Sequence, residues 1–172
     1  IGTYRNAEGA IENIRLNHPL VGSSNSRPFL SPVVISEIMY HPPDVVVDDV
    51  SYDDTEGEFV ELANWTTQPV NLNDATKPGT AWALAGGITF NFPANTTVPA
   101  GGTLVLVNFN PSKDTNQLKS FRTAYPLATN ATLLGPFGGK LNNGGDDIRL
   151  IQNDLVNGKK RELIMDRVAF QS

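Results

Sequence analysis

The chain has no cysteine, so neither a disulfide framework nor a thiolate zinc site is available to it. That absence says nothing about compartment. No run of 18 apolar residues occurs, and nothing in the sequence is built to span a bilayer as a helix. The first residues, IGTYRNAEGAIENIR, carry no basic region followed by an apolar one, so no signal peptide is expected there. Histidine is scarce, with only His18 and His41. That leaves little for a general base or an imidazole-ligated metal. Charge is also sparse: 18% of residues are Asp, Glu, Lys or Arg, the net charge is −5, and no Lys or Arg falls between Arg27 and Lys77. Nucleic acid binding rests on clustered Lys and Arg. The one basic triplet here, Lys159–Arg161, reads as a solvated turn, so no nucleic acid partner is expected.

What the chain does have is turn formers. Fifteen glycines and 12 prolines in 172 residues, with 40% hydrophobic content, suit many short strands rather than a helix bundle. The length fits one domain with a core that needs no staples. The first 31 residues read as a lead-in, linker or end of a preceding domain; Ile11, Ile14 and Leu16 allow a short strand, and Gly22–Pro28 has linker composition. The domain proper is expected over 32–172.

Two strand-like runs, Val33–Tyr40 and Glu58–Asn64, form the expected centre. Strict alternation puts Val33, Ile35, Glu37 and Met39 on one face of the first run, with Val34, Ser36, Ile38 and Tyr40 on the other. Glu37 and Glu61 sit in mid-strand, where a structural role is the simpler expectation than an acid–base pair. Further strands are predicted near Val70–Leu72 and Ala81–Ala85, with Trp82 as a core anchor. Ile88, Phe90 and Phe92 alternate, and Thr103–Asn108 is apolar enough to be buried on both faces. One helix is predicted, Asp114–Ala124, capped by Asp114 or Ser112, stopped by Pro126, and covering an open end of the strands. Gly138-Gly139 and Gly144-Gly145 offer positive-φ positions, with Asp146 and Asp147 capping the turn. This glycine-rich stretch has no GK[ST], no GxGxxG and no following helix, so it is not a phosphate cradle. A polar turn over Asn153–Lys160 then leads to a last strand, Leu163–Phe170.

The chemically unusual stretch joins the two central runs. Asp44, Asp48, Asp49, Asp53, Asp54, Glu56 and Glu58 fall within fifteen residues. Two carboxylates ~4 Å apart repel by about 1 kcal/mol in water and roughly 4 kcal/mol at an effective dielectric near 20. An exposed loop tolerates this; a tightly folded one needs donors or a cation. Calcium is the candidate cofactor, with Asp44, Asp48, Asp49, Asp53, Asp54 and Glu56 as candidate ligands. The EF-hand pattern fails: with Gly57 as the turn glycine, the first ligand would be Tyr52 and the last Ala63. Any calcium site here is therefore irregular. Tyr52 and Trp65 could add stacking surfaces for a carbohydrate.

Seven pieces in order resemble the lamin tail domain in its bacterial form: PVVISEIMYHP (32–42), EFVELAN (58–64), WAL (82–84), FNFP (90–93), PAGGTLVLVN (99–108), GPFGGKLNNGGDDIRLI (135–151) and DRVAF (166–170). The resemblance implies an all-β, immunoglobulin-like antiparallel β-sandwich with one short helix and no catalytic residues of its own. In eukaryotic lamins such a domain is an interaction surface for proteins and chromatin. In bacteria it accompanies secreted or surface-attached enzymes and adhesion-like proteins, which implies an extracellular or cell-surface location here. The expected role is non-catalytic interaction or targeting, with a protein or extracellular polymer, and neighbouring domains of the same chain, as partners. The alternative is a calcium-dependent carbohydrate-binding or adhesion module. The acidity argues against chromatin, and the acidic loop is longer than a hairpin needs. Fold alone assigns no function. Sequons stand at Asn64, Asn95 and Asn130.

Overall fold

The computed structural model describes residues 2–5, 9, 11–14, 30–126 and 131–171. Two sheets make the body. One has four strands in the order β12 (Thr132–Leu134), β11 (Thr103–Val107), β6 (Phe59–Asn64), β3 (Val33–Met39). The other has five, in the order β13 (Gly138–Gly139), β9 (Ile88–Asn91), β8 (Trp82–Gly86), β14 (Gly145–Val156), β15 (Lys159–Gln171). All pairings are antiparallel except β11 with β12. Three ribbons complete the described strands: β1 (Gly2–Arg5) with β2 (Ile11–Ile14), β4 (Val45–Val47) with β5 (Val50–Tyr52), and β7 (Val70–Asn71) with β10 (Thr97–Val98). The helix is α1 (Thr115–Ala124). The all-β, immunoglobulin-like sandwich with one short helix is thus the architecture of the chain.

The inner faces interdigitate. Val33, Ile35, Val60, Leu62, Leu104 and Leu106 from the four-stranded sheet meet Trp82, Leu84, Ile88, Ile148 and Leu150 from the other. Trp82 is the anchor its sequence context predicts.

The expected faces of β3 hold only as far as Ile35. A β-bulge at Ser36 shifts the register between Ile35 and Glu37. One inserted residue swaps the side chains that follow to opposite faces. Ile38 and Tyr40 therefore turn into the core, while Met39 turns outward. Glu37 is exposed.

The helix also departs from expectation. It lies on the outer face of the four-stranded sheet, not over an open end. Phe59, Val105 and Val107 project there and need cover. Phe121 supplies it, edge-on to Phe59 at 5.8 Å and to Phe109 at 5.9 Å. Strand β11 is accordingly buried on both faces, as its run of apolar residues predicts. Asp114 is the N-cap residue, but its carboxylate accepts from the Asn110 N–H at 2.9 Å and not from a helix amide.

Two turns differ as well. The polar turn expected over 153–160 shrinks to Asn157-Gly158, at φ 52° and 73°. Asn-Gly accommodates two positive φ values, and such a two-residue turn keeps long flanking strands paired. Among the paired glycines, Gly139 and Gly145 take positive φ. Asp146 caps its turn by accepting from the Asn142 N–H at 3.3 Å, whereas Asp147 pairs instead with the Arg167 guanidinium. The linker Gly22–Pro28, Leu16 and His18 lie outside the described residues.

Leu62 is fully buried at the centre of the sandwich. Leu62→Ala is predicted to destabilise the fold by about 2–5 kcal/mol, measured by urea unfolding. A loss well under 1 kcal/mol would mean that the two sheets do not share this core.

Candidate functional site

The acidic stretch is not a plain loop. It opens as the β4–β5 hairpin, turned at Asp48 and Asp49 with φ 52° and 61°. Asp tolerates this left-handed region better than most residues, so these two carboxylates sit at the outer corner. A 3₁₀ turn over Thr55–Gly57 follows. Asp54 caps it, accepting from the N–H groups of Glu56 at 3.1 Å and Gly57 at 3.2 Å. Glu56 is exposed.

The two remaining candidates face other partners. Asp44 accepts from the Ser51 hydroxyl at 2.6 Å, with His41 Nε2 3.9 Å away. Asp53 leaves the hairpin and meets Lys140 at 2.5 Å and Asn143 Nδ2 at 3.1 Å. Those bonds, Lys140 first, hold the Asp53 carboxyl below its ordinary pKa. Of the six candidate ligands, the fold brings together only Asp44 and Asp53, in an exposed group with His41 whose donor atoms lie within 4.8 Å of one another. That set fits calcium poorly, since it offers an imidazole nitrogen where calcium takes oxygen.

The carboxylate that the sequence pattern did not single out is Glu58, only 1% exposed. Its Oε2 accepts from the Leu141 N–H at 3.1 Å. Burial pushes its pKa up, opposed by that N–H and by Lys140, and reinforced by Asp53 and Asp54. The available signal was its place directly before the apolar Phe59-Val60, in a strand buried from its first residue. Tyr125 closes the same corner, its hydroxyl donating to the Gly57 carbonyl at 3.2 Å.

Glu37 and Glu61 pair across β3 and β6. They border a groove of about 190 Å³ with Phe59, Phe121 and Tyr125. Ser36 donates to Glu61 at 2.7 Å. A second groove, of about 410 Å³, runs between the acidic segment and α1 and is lined by Val45, Phe121, Ala124 and Tyr125. Trp65 is 59% exposed, with its indole N–H on the Ser31 carbonyl at 2.6 Å. The stacking role expected of Tyr52 falls outside the described side chains. Asn64, by contrast, is buried, and its Nδ2 donates to the carbonyls of Gln68, Val98 and Pro99.

Residues 29–171 match the Lamin Tail Domain family. The chain belongs to that family. No curated protein matches it at a significant level. The match runs from just before β3 into the end of β15, so both sheets, α1 and the acidic hairpin lie inside the lamin tail domain, and the β1–β2 ribbon lies outside it.

Because burial raises the Glu58 pKa, the folded lamin tail domain holds a proton there more tightly than the unfolded chain does. The stabilising contribution is present below the unfolded pKa and is lost as pH rises through the folded one. Glu58→Gln, melted in a chelator, is predicted to be more stable than the parent at pH 7, with the gain vanishing below the ordinary carboxyl range. An equal difference at both pH values would assign the effect to shape and not to charge.

Proposed function

We propose that this lamin tail domain is a non-catalytic interaction or targeting module of a larger secreted or cell-surface bacterial protein. The observation that carries the proposal is the β4–β5 hairpin. Val45, Val46 and Val50 are exposed on it, Val46 to 66%; the pairing of Val47 with Val50 puts Val45 and Val50 on one face of the ribbon and Val46 on the other. Exposed apolar side chains gathered on one element and rimmed by charge are a common mark of a binding surface. Asp44, Asp48 and Asp49 provide that rim, and the groove beside α1 continues the surface from Val45. The partner this suits is a protein or extracellular polymer with apolar contacts and basic groups at its edge. The net charge of −5 disfavours a phosphate backbone.

The absence of a catalytic role is supported by where the candidate groups stand. His41 is exposed beside Asp44. Glu37 and Glu61 stand on the outer face of a sheet, Glu37 open to solvent and Glu61 half-buried, with Glu61 held by the Ser36 hydroxyl.

The test is binding of the 172-residue chain to immobilised bacterial surface proteins, cell-wall polymers and a glycan array, with and without calcium. Val46→Asp with Val50→Asp is predicted to weaken binding by about tenfold or more while leaving the melting temperature unchanged. Undiminished binding by the double variant would remove the hairpin from the interface. Calcium-dependent glycan binding would favour the carbohydrate alternative, and turnover of any polymer by the purified chain would overturn the non-catalytic assignment.

A further inference from the structure

Four side-chain oxygens among the described residues are buried without a hydrogen-bond donor: Glu58 Oε1, Asn108 Oδ1, Asn143 Oδ1 and Asn153 Oδ1. The last belongs to β14, beside Ala81. The other three gather at one corner. The β6–β11 ladder ends where Phe59 pairs with Val107, and the residues just beyond it are Glu58 and Asn108. The Asn108 Nδ2 donates to the Thr55 carbonyl, which also accepts from the Glu58 N–H. Asn143 arrives from the loop before β14. Two residues earlier in that loop, the Leu141 N–H binds the other oxygen of Glu58.

Both amides direct their nitrogens at the acidic segment, Asn108 to the Thr55 carbonyl and Asn143 to Asp53. Their oxygens are left as the free ends. Buried acceptors with nothing to accept carry a desolvation penalty, and Asp53 and Asp54 add negative charge nearby, against the one positive charge of Lys140 at the rim. The corner calls for a positive centre that binds oxygen.

We propose that Glu58 Oε1, Asn108 Oδ1 and Asn143 Oδ1 are inner ligands of a calcium site at the base of the β4–β5 hairpin, completed by the Asp53 carboxylate and water. Carboxylate and amide oxygens without nitrogen or sulfur suit a hard cation with flexible geometry and do not suit zinc. Lys140, half-exposed on Asp53, swings outward into solvent when the ion enters. The site shares only Asp53 with the exposed His41–Asp44–Asp53 group. It would tie three separate segments together: 53–58, the end of β11 and the loop before β14. It stands whether or not the hairpin binds a partner.

Calorimetric titration of the 172-residue chain with calcium chloride, and melting in EDTA against millimolar calcium, test it. One calcium per chain and a raised melting temperature are expected. Glu58→Gln and Asn143→Ala should each weaken binding by about tenfold or more, and Asp44→Asn should leave it unchanged. Glu58→Gln retains the shape of the side chain and supplies an amide donor, so it folds where an alanine could fail. Three results would overturn the site. One is no heat and no melting shift with calcium. Another is a shift that survives Glu58→Gln but not Asp44→Asn. The third is Glu58→Gln stabilising equally in EDTA and in calcium, which would mean that calcium does not engage Glu58.

Discussion

Leu104, Val105, Leu106 and Val107 follow one another along β11, and a strand made this way has no side to show to water. Each face must be covered. The five-stranded sheet covers one, closing the sandwich over Leu104 and Leu106. Helix α1 covers the other, setting Phe121 against Val105 and Val107. The rest of the architecture answers to that double demand. Strand β6 is held to β11 over five residue pairs, and it carries the same division, with Val60 and Leu62 inward and Phe59 outward. The acidic segment enters β6 at Glu58. Its geometry is therefore fixed by the most deeply buried part of the molecule.

Much of this was legible in the residues. Alternation located β3, β6, β8 and β9 to within about a residue or two, and the unbroken apolar run of β11 announced burial on both sides. What alternation could not announce was the bulge at Ser36. Nothing in VVISEIM marks an inserted residue; the register of the partner strand sets it. The seat of α1 was also hidden. The apolar stripe of Leu118, Phe121 and Tyr125 says that a helix must be buried, but not against what. Phe59 holds that information, and its meaning depends on which side of β6 it faces. Asn157-Gly158 was readable as the turn, yet the polar flanks made the paired strands look like loop.

The candidate site was legible by composition and not by role. A count of acidic residues weights Asp48, Asp49 and Glu56 the same as Glu58. Folding separates them. Asp48 and Asp49 turn a hairpin, Asp54 caps a single helical turn, Asp53 meets Lys140, and Glu58 alone is taken out of water. Local backbone geometry explains the first three assignments, and each depends on neighbours two or three residues away. The last two depend on Lys140 and Leu141, more than eighty residues distant, so no local pattern could show them. Membership of the lamin tail family fixes the scaffold on which these groups stand and leaves their chemistry to be read from the fold.

The buried amide of Asn64 has a practical consequence. It lies in an Asn-Trp-Thr sequon, and the nitrogen that would carry a sugar instead joins three carbonyls of the turns beside β7 and β10. A eukaryotic secretory host attaches glycans to the nascent chain while it is still folding. A glycan there would leave those carbonyls without their donor and wedge a bulky saccharide between β6 and the turn at Pro99. Expression yield in such a host thus turns on whether Asn64 folds away before the transferase reaches it, a race that a bacterial cytoplasm never stages.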